Sequence, residues 1–159
     1  MRAEDKGFQV YDSLDNVKVT SLDAIFLFDV LEHIPQNEIE VFLRKLSHLL
    51  RNGGSLVIRT PNGGSPLGLA NQHGDPTHVT VVTSTKLHFL AASAGLDVLY
   101  SGRDLYPVYN GCLSKLPSRF IKLALSTLIE KIFRFIFSPQ SAGVLSANLL
   151  TILVKSSKT

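Results

Sequence analysis

The stretch that most restricts how this chain can fold is Ala24-Ile25-Phe26-Leu27-Phe28, five apolar residues in a row that stop at Asp29. A strand-length run with no polar alternation marks a strand buried on both faces, as in parallel sheets covered by helices. The residues after it supply the rest of such a unit. Pro35 closes a turn, and Asn37 with Glu40 three residues later has the form of a capping box. Ile39, Phe42, Leu43, Leu46, Leu49 and Leu50 then recur at helical spacing, with Glu38, Arg44, Lys45 and His48 between them. Asn52-Gly53-Gly54 predicts a left-handed helix cap and turn, and Ser55 to Arg59 a second buried strand ended by Pro61-Asn62-Gly63-Gly64.

The flanking segments extend the alternation. Phe8 to Val10 predicts a short strand ending at Tyr11-Asp12. Ser65 to Val82 shows little periodicity and predicts a long loop, a kind of segment that is usually functional or disordered. Thr83 caps a helix running to about Ala94 and closed by Gly95, and Leu96 to Tyr100 is a third strand. Ser118 to Phe137 predicts a very apolar helix stopped by Ser138-Pro139, Asn148 to Val154 a last strand, and Lys155 to Thr159 a tail. The expectation is an α/β sheet with helices on both faces. Ligands of such sheets sit beyond the carboxyl ends of the strands. That directs attention to Asp12, Asp29 to His33, Thr60 to Asn62 and the long loop, but names no reaction.

Composition narrows the classes. With 159 residues, 45% hydrophobic and 18% charged, the chain has the makings of one folded domain and not of a disordered segment. The net charge is +3 with basic residues scattered, which gives no basis for nucleic-acid binding. The single cysteine, Cys112, permits no internal disulfide and no cysteine zinc cluster, in keeping with a reducing cytoplasm. Met1 to Lys6 is polar, and no uncharged apolar stretch reaches the roughly 18 residues of a membrane span. The expectation is a cytoplasmic protein, soluble or attached peripherally to a membrane surface.

The stretch Leu22-Asp23-Ala24-Ile25-Phe26-Leu27-Phe28-Asp29-Val30-Leu31-Glu32-His33-Ile34-Pro35 resembles the fourth-strand motif of class I S-adenosylmethionine-dependent methyltransferases. It is similar in particular to the group that includes ubiquinone-biosynthesis O-methyltransferases and sugar or natural-product methyltransferases. The helix from Asn37, the Arg51-Asn52-Gly53-Gly54 turn, the next strand, Thr60-Pro61-Asn62, Gly74-Asp75-Pro76-Thr77-His78 and Ala94-Gly95-Leu96 continue the likeness in register. The resemblance implies a Rossmann-like sheet of order 3-2-1-4-5-7-6, with S-adenosylmethionine as cofactor. It also implies a methyl acceptor that is a small molecule, a lipid or a glycan precursor. No glycine-rich turn of the family's cofactor-binding type occurs in the sequence. The chain is therefore expected to be a partial methyltransferase domain over 1–159, truncated at its N-terminus, with a helical insertion or lid over 110–140. A non-catalytic methyltransferase-like interaction module is the alternative.

The resemblance also implies site residues. Asp12 corresponds to a carboxylate near the adenine, against its reading as an ordinary turn aspartate. Phe28, Asp29, Val30 and Leu31 correspond to residues lining the cofactor's sulfonium end. Glu32 and His33 correspond to the acceptor side, where orienting the loop by hydrogen bonds is the competing role. On a helical arc Asp29, Glu32 and His33 would share one face at i, i+3 and i+4, a cluster that could hold a divalent ion, although no metal is assigned. His78, with Asp75 three residues before it, is the candidate catalytic base on the loop, against a surface turn. Residues 118–137 are read as a lid, a membrane-surface helix carrying Lys122, Lys131 and Arg134, or a homodimer interface. Tyr100, Tyr106 and Tyr109 could line an acceptor pocket.

Overall fold

A computed structural model describes residues 9–104, 116–137 and 145–156. Four strands form one sheet: β1 (Leu22–Phe28), β2 (Leu50–Pro61), β3 (Leu96–Arg103) and β4 (Asn148–Lys155). Their order is β1-β2-β4-β3, with β1 and β2 parallel and β4 antiparallel to both its neighbours. This is the 4-5-7-6 side of the order that the resemblance implies. Four α-helices accompany the strands: α1 (Gln36–Leu49), α2 (Leu69–Gly74), α3 (Ser84–Ser93) and α4 (Leu116–Phe137).

α1 connects the two parallel strands and buries Ile39, Leu43, Leu46 and Leu49. It packs against α3, so both helices share one face of the sheet. Between them and the strands lies the core, where Leu31, Leu50, Leu56, Ile58, Leu87, Leu149 and Leu153 are fully buried. Truncating one of these leucines to alanine would cost about 2–5 kcal/mol.

The expectation that β1 is buried on both faces is corrected. Leu27 is buried, but Phe26 and Phe28 are 62% and 53% exposed, because α1 and α3 both lie on the opposite face. Their rings meet edge-on at 5.9 Å, which shields each only partly. β1 is also an edge strand of this sheet. No strand forms over residues 9–12, so the expected strand at Phe8 to Val10 is not found in its described part; Phe8 lies outside the described residues. β1 pairs with β2 on one side, and residues 9–12 do not pair with its other edge.

Local signals fared unevenly. Thr83 caps α3 as expected, its hydroxyl accepting from the Lys86 N–H at 3.2 Å. α1, by contrast, starts at Pro35 with no side-chain cap, and Glu40 pairs with Arg44 at 2.9 Å instead of closing a capping box. Pro35 itself takes the cap position, so Asn37 falls inside the first turn. Gly53 does adopt φ +74°, yet the Arg51–Gly54 segment is drawn into β2 as an irregularity: Leu22 pairs with Leu50 but Ala24 already with Ser55. A side chain at Gly54 would stand 2.9 Å from the Arg51 carbonyl and 3.0 Å from that of Leu22. The expected long loop contains α2, which sequence periodicity does not show. Tyr106, Tyr109, Cys112 and the Ser138-Pro139 stop lie outside the described residues.

Candidate functional site

The carboxyl ends of β1 and β2 lie side by side, Phe28 opposite Arg59. Directly after β1, Asp29 takes φ 55°, the left-handed region that aspartate enters more readily than most residues. Its N–H donates to the Arg59 carbonyl at 2.9 Å, and its carboxylate accepts from the Arg59 guanidinium at 3.1 Å. Arg59 also donates to Asp104 at 3.0 Å. This reversal feeds a 3-10 turn, Leu31–His33, closed by bonds from the His33 and Ile34 N–H groups to Val30 and Leu31. The turn sends Leu31 and Glu32 inward, both 0% exposed, and leaves His33 outside.

Leu31 is core. Glu32 is a carboxylate with the same burial, which is costly unless its oxygens find partners. One oxygen accepts from the Thr60 hydroxyl at 3.1 Å, at the end of β2. The other, Oε1, has no hydrogen-bond partner among the described residues. The backbone of this turn is fixed by the long loop, since the Glu32 carbonyl accepts from the Val79 and Thr80 N–H groups at 2.9 and 3.0 Å. Thr80 adds a hydroxyl bond to the Ile34 carbonyl at 2.6 Å.

The same loop brings in the histidine. Asp75 accepts from the Thr77 hydroxyl at 2.6 Å and the Thr77 N–H at 2.8 Å, which hold its carboxyl below the usual aspartate range. With its proton committed to Asp75, the Thr77 hydroxyl oxygen faces His33 Nδ1 at 3.0 Å, and the Thr77 carbonyl lies 3.2 Å from the same nitrogen. Both can only accept, so His33 carries its proton on Nδ1. His78 Nδ1 lies 3.2 Å from the Gln72 carbonyl and is a donor for the same reason. Nε2 of His78 lies 3.9 Å from the Asp75 carboxylate. The rings meet edge-on with centroids 4.8 Å apart, and one ligand atom from each of Glu32, His33 and His78 lies within 4.8 Å of the others.

The structure thus brings together three of the sequence candidates, Glu32, His33 and His78. Asp29 is not in that group: its carboxylate is turned to Arg59, and His78 stands third in its place among the described residues. The left-handed backbone at Asp29 breaks the helical arc that would have aligned i, i+3 and i+4. Phe28 is exposed beside β2, Val30 is half-buried, and Leu31 is fully buried in the core. Asp12 is exposed in a bend. Sequence reading pointed to Thr60 by its place at the end of β2 without giving it a role, and to Thr77 only as part of the loop segment; Gln72 it missed, and these three position the cluster. In the loop the signal was the Asp75-Pro76 turn.

A four-stranded sheet with parallel β1 and β2, an antiparallel β4 inserted between β2 and β3, and a polar cluster at its carboxyl edge is an α/β arrangement of the kind that binds ligands beyond its strand ends. A methyltransferase domain family matches residues 2–101, and the chain belongs to that family. Among solved structures it resembles a SAM-dependent methyltransferase from Archaeoglobus fulgidus, with TM-score 0.56 and 18% identity over 89% of this chain and 63% of that one. A putative sarcosine dimethylglycine methyltransferase from Galdieria sulphuraria gives 0.54 and 17%, over 94% and 60%. A complex of a methyltransferase activator with a putative methyltransferase from Haloferax volcanii gives 0.53 and 13%, over 95% and 66%. The chain thus spans 60–66% of the length of these structures. No curated protein sequence matches it.

Proposed function

We propose that this domain transfers the methyl group of S-adenosylmethionine to a hydroxyl-bearing small molecule, lipid or glycan precursor. The observation that carries this reading is the juxtaposition of Glu32, His33 and His78 at the carboxyl edge of β1 and β2, in a chain of the methyltransferase family. The cofactor would lie against Phe28 to Leu31, with Asp12 toward its adenine. The acceptor oxygen attacks the methyl carbon as the carbon–sulfur bond breaks, its electron pair leaving on sulfur. Alignment of the two reactants supplies much of the acceleration. The acceptor's proton goes to Nε2 of His78, whose Nδ1 is turned to the Gln72 carbonyl at 3.2 Å and whose Nε2 has the Asp75 carboxylate at 3.9 Å to stabilise the cation formed.

Calorimetry with S-adenosylmethionine on the full chain tests the first half: saturable binding with a Kd below about 1 mM is expected. A folded chain that binds none at that concentration would favour the interaction-module alternative. Where turnover is measurable, His78→Ala should lower kcat about 10²–10⁴-fold with cofactor affinity unchanged. An unchanged kcat would remove His78 from the reaction.

A second reading concerns α4. Ile121, Leu125, Leu128, Ile132 and Phe135 recur at three- and four-residue spacing, and all are at least half exposed, Phe135 at 88%. The less exposed residues are Thr127, Glu130, Phe133 and Arg134, and Arg103 donates to the hydroxyls of Ser126 and Thr127. A mostly polar side therefore faces the domain and the apolar stripe faces out, the reverse of an ordinary surface helix. Lys122 and Lys131 are exposed at the borders of the stripe, while Arg134 is paired with Glu130 at 3.0 Å. No described helix is long and apolar enough to cross a membrane. We take the occupant of the stripe to be an anionic lipid surface, with the lysines meeting the phosphates. Co-sedimentation with phosphatidylglycerol vesicles should retain the chain, and Ile121→Asp with Phe135→Asp should release it. A dimer in solution with no retention would replace the lipid by a second copy.

A further inference from the structure

One hydrogen-bond chain runs along the carboxyl edge of the sheet, and Arg59 is at its centre. Asp29 follows β1 with φ 55°, a backbone form that is strained for a residue with a side chain and lasts only where neighbours hold it. Arg59, near the end of β2, holds it twice. Its carbonyl accepts the Asp29 N–H at 2.9 Å, and its Nη1 donates to the Asp29 carboxylate at 3.1 Å. The guanidinium is braced in turn by Asp104, just past β3, which accepts from Nε at 3.0 Å. The Asp104 side chain is only 16% exposed and takes a further bond at 3.4 Å from Asn148, the first residue of β4. Asn148 accepts from Asn71 of α2 at 3.3 Å, and the next residue, Gln72, holds His78. The ends of all four strands and α2 are thus joined through one guanidinium. Its planar fork can address two carboxylates in fixed directions, which a lysine cannot. Without a cation between them, Asp29 and Asp104 would repel one another.

We propose that Arg59, braced by Asp104, is a positioning residue for S-adenosylmethionine: it holds the left-handed corner at Asp29 in the form against which the cofactor binds. It acts through Asp29 and not by contact with the cofactor. Phe28 is fixed by the ladder between β1 and β2, and Leu31 by the core. Slack released by loss of the clamp is therefore taken up at Asp29 and Val30, two of the residues that face the cofactor in the methyl-transfer reading. The inference deepens that reading and rests on it for the identity of the ligand. The clamp itself stands on the geometry of Asp29, Arg59 and Asp104 alone.

The test is calorimetry with S-adenosylmethionine on the full chain, with amide hydrogen exchange as its structural arm. Arg59→Met should raise the cofactor Kd about 10-fold or more. It should also speed exchange of the Asp29 N–H, while the amides of Leu56 and Leu153 in the core keep their protection. Arg59→Lys keeps the charge without the fork and should recover less than about threefold of the lost affinity. Asp104→Ala, which removes the brace and leaves Arg59 in place, should shift both readings the same way, the Kd by about threefold. The discriminating variant joins Arg59→Met with Asp29→Gly. Glycine enters φ 55° without strain, so the double variant should regain about threefold of the affinity lost by Arg59→Met alone. An unchanged Kd in Arg59→Met overturns the proposal. So does a loss that Asp29→Gly leaves unrelieved, since Arg59 would then act on the cofactor directly or through the fold as a whole. A wild type that binds no S-adenosylmethionine defeats the methyl-transfer reading instead; exchange at Asp29 then decides the clamp, faster in Arg59→Met if it exists and unchanged if it does not.

Discussion

Asp75 shows how one side chain organises the site, with one oxygen holding Thr77 and the other 3.9 Å from His78 Nε2. Its carboxylate collects the hydroxyl and the N–H of Thr77, and this is why its carboxyl is held below the usual aspartate range. A carboxylate depressed in the folded state contributes stability that is complete above its unfolded value of 3.8 and is lost as pH falls through the lower, folded value. Thr77→Val removes the hydroxyl bond, which is the larger cause. The expected outcome is an Asp75 pKa, followed by carboxyl NMR, that moves back up toward 3.8, with a smaller loss of stability between pH 4 and pH 2 than in the wild type. The same substitution removes one of the two oxygens holding the His33 Nδ1–H. A pKa left where it was would mean that the N–H of Thr77 alone sustains the depression. None of this pairing is written in the order of residues, beyond an Asp-Pro turn that any surface loop could use.

At the level of elements, α2 is the piece that places the histidine, and Gly68 is the residue that allows α2 to form. Gly68 needs no special backbone angle, but a Cβ there would lie 2.1 Å from the Asn62 carbonyl oxygen and 3.0 Å from that of Ala147. Both are backbone atoms beside the sheet and have little room to yield. Gly68→Ala should therefore cost about 2–3 kcal/mol in urea unfolding. It should also disturb His78 through Gln72, whose N–H is bonded to the Gly68 carbonyl. Gly74→Ala, at the other end of the same helix, meets none of the described residues within 4 Å and should be within about 0.5 kcal/mol of the wild type or more stable. Equal losses at both positions would show that the close approach at Gly68 is not what matters. Helix α2 was not legible from periodicity because its six residues, Leu69-Ala70-Asn71-Gln72-His73-Gly74, are too few to show a stripe. α3 was legible because Thr83 announces it chemically, and β2 and β4 because their cores are apolar runs.

Over the whole molecule, what the order of residues determined is the alternation of strands and helices, the crossover from β1 through α1 to β2, and the corner after β1 where Glu32 and His33 sit. Those features depend on short-range patterns: apolar runs, helical spacing, a glycine turn and a capping threonine. The tertiary structure alone decided which face of β1 is covered, since that depends on where α1 and α3 pack and not on the run itself. It also decided that Asp29 leaves the cluster for Arg59 while His78 enters it from 45 residues further along the chain. Bonds from Val79, Thr80 and Gln72 fix that approach, and such pairings exist only once the loop has closed over the strand ends. The outward apolar stripe of α4 belongs to the same class: its spacing was visible, but its direction was set by Arg103 reaching Ser126 and Thr127. A linear pattern specifies what each segment is; which lone pairs meet is settled by packing, because the partners lie far apart in sequence and come together only after the chain's entropy has been lost.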